Sequence, residues 1–442
     1  ETWAKSNNAR TAAFAFFNIT SANVAISKFN VIDTYYPVSA VSGTCTGLTT
    51  TDCNFVSFNR SAFLNPTTSD IIATRTNFQN EPAGETIYFS NGSTTQKTFD
   101  NCWIFNGTVG LRMGVAQSAG MGSTTSNFTL SNGTVIAGGT SGMTFATAPV
   151  YVDLSDTTIR HCSTGLVCPS GTRIKGGNFT SNTTGVYGNT VNGIYVSGAT
   201  FNGNTNGIAD RWFSGRIENC TFGNTTANTN DIAMDQYAGN IEIVNCTTTA
   251  PASWFLFTTA TATTMYMSNV TIDSTSASRI WNNPTGWNPT HPTLIAKNVN
   301  TSGGTAFSDG YYFPYFYFVE DSSTTHSSGS SFRLQFNTAS ANNILSEVPI
   351  CQAYTESGVA KTFTYWVKAN SGWSGQIIPI VRLNGELIQT ETTITSLTTS
   401  WVQKTVTVTA GTITEAGRIE LLIIPNANTT ACYIDDADCV TP

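Results

Sequence analysis

The sequence predicts an all-β chain in two parts: a right-handed parallel β-helix, then an antiparallel β-sandwich of jelly-roll type. Three observations carry this. Between Leu130 and Ile272 a short pattern recurs about every 20 to 26 residues: an apolar residue, a spacer, Asn, Asp or Gly, a small residue, usually Thr, and a second apolar residue. It reads Leu130-Ser131-Asn132-Gly133-Thr134-Val135, then Leu154-Ser155-Asp156-Thr157-Thr158-Ile159, and further on Ile217-Glu218-Asn219-Cys220-Thr221-Phe222. Self-similarity at such a period marks a solenoid, whose repeats bury their apolar faces against one another. The charged fraction is 11%, far below the roughly 25% of ordinary globular chains; Ser, Thr, Asn and Gly take up the difference, as many polar turns require. Beyond Gly310 the corner pattern stops and two-residue alternation takes over, as in Phe363-Thr364-Tyr365-Trp366-Val367-Lys368, the mark of strands with one buried face.

One coil follows from the pattern. Side chains alternate along a strand, so Val135, Ile159, Phe179, Phe201, Phe222 and Ile272 are expected in one inward column. Two residues earlier the inward neighbour is small: Cys102, Gly133, Thr157, Gly177, Ala199, Cys220, Cys246 and Val270. Thr134, Thr158, Thr200, Thr221, Thr247 and Thr271 are expected to face outward, where a β-branched polar residue suits a pleated surface. Asn132, Asp156, Asn219, Asn245 and Asn269 share a corner, since Asx residues tolerate left-handed backbone. Gly142, Gly165, Gly185 and Gly207 read as a second tight bend.

In chain order, residues 1–69 fit the repeat poorly and read as an N-terminal cap with irregular first coils and a cysteine-bracketed loop. Residues 70–304 form the β-helix, opened by strands near Asp70 to Phe78 and Glu85 to Ser90. Two coils are lengthened by aromatic stretches, Trp254-Phe255-Leu256-Phe257 and Ile280-Trp281 through Trp287 to His291-Pro292. Long loops on a rigid scaffold are where function tends to sit. Residues 305–442 form the sandwich, with a hairpin turn at Asn384-Gly385.

A net charge of −7 argues against nucleic acid, which needs a basic stripe. No apolar run approaches the ~20 residues of a membrane helix. The chain opens at Glu1 without a signal-like segment, as a processed or trimmed product would. Ten cysteines suggest an oxidising compartment. Cys45 with Cys53 and Cys162 with Cys168 are local pairs; Cys432 and Cys439 flank the last strand, with Cys351 within reach of either. Cys220 and Cys246 fall in one inward column on successive coils, about 4.8 Å apart, either bonded or stacked as buried thiols. Several sequons follow from corner Asn preceding Thr by two; Asn91, Asn106, Asn182, Asn224 and Asn428 are the better glycan candidates in a competent host. None of His161, His291 and His326 has metal-ligand spacing, and His161 reads as a coil corner. No phosphate loop, nucleophile elbow or zinc spacing occurs.

Two resemblances follow. The coils of residues 70–300 resemble the pectate-lyase-like superfamily of parallel β-helices, which includes bacteriophage tailspikes. The run from Ser331-Phe332-Arg333-Leu334 through Thr398-Thr399-Ser400-Trp401-Val402-Gln403-Lys404 to Tyr433-Ile434-Asp435-Asp436 looks like a carbohydrate-binding-module jelly roll. Together they imply a glycan-interacting protein, extracellular or on a virion surface. In the modules such an Asp435-Asp436 pair often contributes to a structural calcium site; no other cofactor is implied. β-helix enzymes of the superfamily cleave polysaccharides with carboxylates on one solvent face, and hydrolases need the two groups about 5 to 9.5 Å apart. The clustered Asp motifs of pectate lyases and the Asp-Asp and His-Gly patterns of polygalacturonases are absent.

The densest carboxylate patch is Asp210, Glu218, Asp231 and Asp235, beside Arg211, Trp212 and Tyr237. It is the candidate catalytic cluster, against the blander reading of scattered surface carboxylates or a subunit contact. Trp212, Tyr237, Trp254, Trp281, Trp287 and the loop-tip Trp373 could stack on sugar rings; Trp366 and Trp401 are expected in the sandwich core. The expectation taken forward is a polysaccharide-binding protein of tailspike or adhesin type. Two alternatives stand beside it: a structural subunit of an extracellular filament or sheath, and a polysaccharide depolymerase, hydrolase or lyase. The aromatic runs Trp254 to Phe257 and Tyr311 to Phe318 exceed what a monomer surface carries comfortably, which points to a homo-oligomer, a trimer or a filament.

Overall fold

The computed structural model describes residues 2–5, 15–40, 47–58, 61–64, 70–80, 84–89, 97–105, 107–113, 128–146, 150–188, 192–210, 214–234, 241–249, 253–257, 264–273, 281–282, 293–301, 310–312, 316–327, 329–336, 347–426 and 430–442. They fall into two compact units, residues 1–291 with 299–306, and residues 292–298 with 307–442.

The first unit is a parallel β-solenoid. Each regular coil contributes a strand to each of three faces. On the first face Lys97–Asp100 pairs in parallel with Phe128–Ser131, and the row continues through Tyr151–Arg160, Arg173–Thr180, Asn192–Ser197, Ser214–Glu218 and Ile241–Val244 to Thr264–Asp273. The second face follows one corner later, as in Thr200–Asn202 on Thr221–Phe222 on Thr247–Thr249. The third is a nine-stranded parallel sheet from Glu85–Phe89 to Trp281–Asn282. Parallel pairing already begins with Thr2–Lys5 on Phe29–Ile32. The described strands of residues 1–69 thus already pair in parallel, as first coils would.

The expected corner is present. Asn132, Asp156, Asn219, Asn245 and Asn269 all have φ between 51° and 58°, the left-handed region that Asx side chains tolerate. His161, with φ 55°, and Ser181, with φ 54°, form a second left-handed corner. The glycine column does something other than bend: its φ values are not left-handed. A Cβ on Gly185 would lie 2.5 Å from the carbonyl oxygen of Gly207, and one on Gly165 2.4 Å from that of Gly185. Glycine suits these four positions because a Cβ would crowd the carbonyl of the next coil and the inward side chain beside it.

The inward column holds Ile159, Phe179, Phe201 and Phe222, all fully buried; the rings of Phe179, Phe201 and Phe222 stack at 5.1 and 4.9 Å. One coil departs from the expectation. Asn132 and Gly133 both lie in the turn, so Ile136 rather than Val135 pairs with Ile104 and Ile159. Thr134 consequently points inward and is fully buried, instead of facing out, and Gly133 is not the inward residue. Its hydroxyl lies 3.0 Å from Phe99 O and accepts from Cys102 N at 3.1 Å.

The cysteines share this inward corner. Cys53, Cys102, Cys220 and Cys246 are buried thiols, each with Sγ within 3.2 to 3.5 Å of the carbonyl two residues before it. They serve as small corner residues whose S–H reaches a backbone acceptor, as Thr134 does with its hydroxyl. No bridge is present among the described cysteines: Cys53 stands as a thiol, and its proposed partner Cys45 lies outside the described residues. Cys162 is a thiol beside Gly138 O and Arg160 O, not bonded to Cys168. Cys351, Cys432 and Cys439 are also thiols.

Behind the second corner runs an internal asparagine ladder. Asn182 Oδ1 accepts from Cys162 N, Asn204 Oδ1 from Asn182 N, and Asn228 Oδ1 from Asn204 N, at 2.9 to 3.0 Å. Each amide donates to a carbonyl one coil below: Ile159, Phe179 and Phe201. The backbone groups of a tight interior turn are thus satisfied by side chains. Asn182 is only 3% exposed, so the folded chain offers no room for the glycan expected there.

The second unit is a two-sheet antiparallel sandwich. One sheet runs Phe316–Asp321, Ser331–Phe336, Cys432–Val440, Lys361–Ala369, Val402–Val408. The other runs Val348–Thr355, Gly417–Asn426, Gln376–Leu383, Glu386–Thr390. Phe363, Tyr365, Val367, Val381, Leu421 and Ile434 meet between them. Asn384 and Gly385 have φ 49° and 89°, the left-handed pair a tight hairpin turn requires.

Candidate functional site

The first face carries an outward row that the sequence reading missed. The residue before each inward aliphatic of that face is Tyr151, Arg173, Tyr195, Arg216, Glu242 and Tyr266, and the six stand in register on successive coils. At a strand spacing of about 4.8 Å they span roughly 24 Å along the solenoid. Alternation fixes their direction, since Val152, Ile174, Val196, Ile217 and Ile243 beside them are buried; Tyr151, at 6% exposure, is the covered end of the row. The signal was available, since Tyr, Arg or Glu stands one residue before each of Val152, Ile174, Val196, Ile217, Ile243 and Met267.

The row is preorganised. The Arg173 guanidinium lies between two rings, 4.8 Å from that of Tyr151 and 5.3 Å from that of Tyr195, a cation–π geometry. The Tyr195 hydroxyl donates to Glu218 Oε1. Arg216 donates through Nε to Glu218 at 2.7 Å and through Nη1 to Glu242 at 2.9 Å. The bond from Tyr195, then that from Arg216, holds the Glu218 carboxyl below the usual range against partial burial. Burial, then the Glu218 carboxylate, pushes the Tyr195 phenol up. Tyr266, at 42% exposure, ends the row open to solvent.

Two residues further along each strand a second outward row begins with Asp153, Lys175, Ser197 and Glu218. Lys175 Nζ is 2.9 Å from Asp153 Oδ2. Burial opposes the Asp153 charge, but hydrogen bonds from Ser155 and Lys175 outweigh it and keep its pKa low. Beside this row, at the first corner, opens a groove of about 640 Å³ lined by residues of three consecutive coils: 155–158, 175–178, and 197, 198 and 200.

The expected carboxylate cluster does not assemble. Glu218 is on the first face. Asp210 ends the third-face strand Asn206–Asp210, and its side chain is outside the described residues. Asp231 is fully buried inside the solenoid, bonded by Asn228 Nδ2 at 2.9 Å and by the Thr248 hydroxyl, so it faces no solvent groove. Burial pushes its pKa up to about 7, although both bonds favour the charged form. Asp235, Trp212, Tyr237 and Trp287 lie outside the described residues. Trp254 and Trp281 lie on third-face strands, with side chains outside the described set.

In the sandwich, Trp373 packs against the core instead of standing free at a loop tip. Trp366 and Trp401 are on the outer side of their sheet, not in the core, gathered around His326 at 3.9 and 5.7 Å between ring centroids. Asp435 and Asp436 accept hydrogen bonds from this loop: His326 N to Asp435, and His326 Nδ1 and the Ser327 hydroxyl with Asp436, all at 2.7 Å. Their oxygens are turned to protein partners. Among the described residues no group of three His, Cys, Asp or Glu side chains could hold a metal ion. Asn224 is exposed; Asn91, Asn106 and Asn428 are outside the described residues.

No family model matches the chain, and no curated protein does. Phage tailspikes are among its solved structural neighbours. One is a tailspike protein from Acinetobacter baumannii bacteriophage Fri1, a capsular polysaccharide depolymerase: 9% identity over 92% of this chain and 81% of that one, TM-score 0.38. Another is a tailspike double mutant of E. coli bacteriophage HK620 in complex with pentasaccharide: 10% identity over 95% and 72%, TM-score 0.33. A Family 16 carbohydrate-binding module matches 28% of this chain and 84% of its own, at 14% identity and TM-score 0.21. All three superpose loosely.

Proposed function

We propose that the chain is a polysaccharide-binding protein of tailspike or adhesin type, working outside a cell or on a virion, and that the glycan lies along the first face. The observation that carries this is the outward row of Arg173, Tyr195, Arg216, Glu242 and Tyr266, which starts beside the buried ring of Tyr151. It combines ring faces for stacking with fixed hydrogen-bonding groups, repeated at a constant step, which suits a linear polymer of sugar rings. Exposed ion pairs contribute only about 0–1 kcal/mol each, so coil stability gives little reason for concentrating them here. Binding of the intact protein to a broad array of capsular and envelope polysaccharides tests the reading. Arg173→Ala and Tyr266→Ala are each expected to weaken binding about tenfold, roughly 1.4 kcal/mol, with unchanged melting. A protein silent on the array, or variants that bind as the parent does, would refute it.

Depolymerase activity is a second reading, favoured by Glu218 and Glu242 on either side of Arg216. A glycosidase needs one carboxyl kept protonated; Glu218 is held in the charged form and suits only the base or nucleophile. Release of new reducing ends, abolished by Glu218→Gln, would establish it.

A further inference from the structure

We propose that the corner groove beside the first face is a pocket for one uncharged sugar ring, a side branch or terminal unit of the glycan lying along the Tyr–Arg row. The class of ligand rests on the proposed function; the pocket itself rests on three features of this chain.

The first is how the groove is made. At the left-handed corner most coils place an Asx side chain, but Gly176 and Gly198 occupy it on two successive coils, with φ 71° and 67°. A Cβ built on Gly198 meets no atom within 4 Å, so the floor there is bare backbone facing open space. Below, the strand Tyr151–Arg160 carries three residues between its paired positions Leu154 and Thr158 where the next coil carries one, Gly177. The surplus, with Ser155 and Asp156, forms one wall. The exposed Asn219 stands on the coil above.

The second is the lining chemistry. Thr158, Ser197 and Thr200 bring hydroxyls and Asn178 its amide, whose Oδ1 already accepts from Thr180 and Asn202, while the Ser155 hydroxyl donates to Asp153; backbone fills much of the rest. The charged lining residues are Lys175 and Asp156, and Lys175 is already 2.9 Å from the Asp153 carboxylate. Such a surface suits a polyol and gives an anionic sugar no uncompensated cation.

The third is position. Lys175 and Ser197 stand two residues beyond Arg173 and Tyr195 on the same outward side of the same strands, so a branch leaving a polymer on the row meets the groove directly.

Gly198→Asn is a clean test. Asn holds this same corner at Asn219, Asn245 and Asn269 with φ 53°, and open space awaits its side chain, so the variant should fold while filling the groove. Saturation-transfer NMR on the full chain, made in a host without N-glycosylation, would use the methyl glycosides of glucose, galactose, mannose and N-acetylglucosamine, with methyl glucuronide as the charged comparison. At least one neutral glycoside is expected to bind the parent, to exceed the glucuronide, and to lose at least tenfold affinity in Gly198→Asn at unchanged melting temperature. Silence of every neutral glycoside, preference for the glucuronide, or binding that survives in Gly198→Asn would overturn the proposal. If instead Arg173→Ala and Tyr266→Ala leave polymer binding intact while Gly198→Asn abolishes glycoside binding, the reading of the row fails and the pocket stands.

Discussion

Asp231 occupies a glycine's place. It follows Gly142, Gly165, Gly185 and Gly207 in the column of close coil contacts, and a Cβ on Gly207 would meet its carbonyl oxygen at 2.6 Å. Its side chain fits because Thr248 replaces the next phenylalanine after Phe222 in the inward stack. Burial raises its pKa from 3.8 to about 7, so the fold prefers the neutral acid. Stability from this group is complete below the unfolded pKa and is lost as pH rises through about 7. Asp231→Asn should therefore match the parent near pH 4 and exceed it by about 2–4 kcal/mol near pH 8, as read by denaturant unfolding at both values. Equal stability at pH 8 would show the carboxylate to be solvated. The cysteines make a second prediction. Burial pushes Cys102 and Cys162 up to about 12, so neither forms thiolate at neutral pH. Iodoacetamide should leave both unmodified in the native protein and label both after unfolding; a Cys162–Cys168 disulfide found by peptide mapping would contradict the corner-thiol role. Composition pointed instead to bridges, because a cysteine count carries no information about inward corner positions.

At the scale of elements, the first corner and the Phe column were legible because each follows from a local rule: Asx residues tolerate left-handed backbone, and alternation points the second apolar residue inward. The coil at Asn132-Gly133 defeated the rule by using two turn residues, which moved the inward place to Ile136. The internal ladder was hidden for a different reason. Asn182 and Asn204 each stand three residues after an inward Phe, yet Asn182 also heads a sequon, and only burial separates a ladder amide from a glycan acceptor. The outward row is hidden from any search for carboxylates close in sequence, because a solenoid gathers residues one coil apart. Asn204→Ala tests the ladder. It would orphan Asn182 N–H and the Phe179 carbonyl, each about 1–3 kcal/mol when buried. A loss of about 2–5 kcal/mol is expected in urea unfolding, and a loss below 1 kcal/mol would mean that water replaces the amide.

For the whole molecule, the homo-oligomer inferred from aromatic runs remains a proposal that light scattering would test, since those side chains lie outside the described residues. Trp103, 47% exposed on the second face and 5.4 Å from the Phe105 ring, is a further apolar group suited to a subunit contact. The two units make a firmer prediction. The sandwich core is drawn wholly from residues between Leu334 and Cys439, while the solenoid core is the stack of coils around Phe179, Phe201 and Phe222. Units with separate cores are expected to unfold as separate cooperative blocks. Calorimetry of the full chain should show two transitions. Asp231→Asn should raise only the solenoid transition, increasingly from about pH 4 to about pH 7, because the carboxylate is embedded in that stack and its pKa moves from 3.8 to about 7 on folding. Val367→Ala, in the sandwich core, should lower only the other, by about 1–3 kcal/mol. A single transition moved by both substitutions would show that the two cores melt as one.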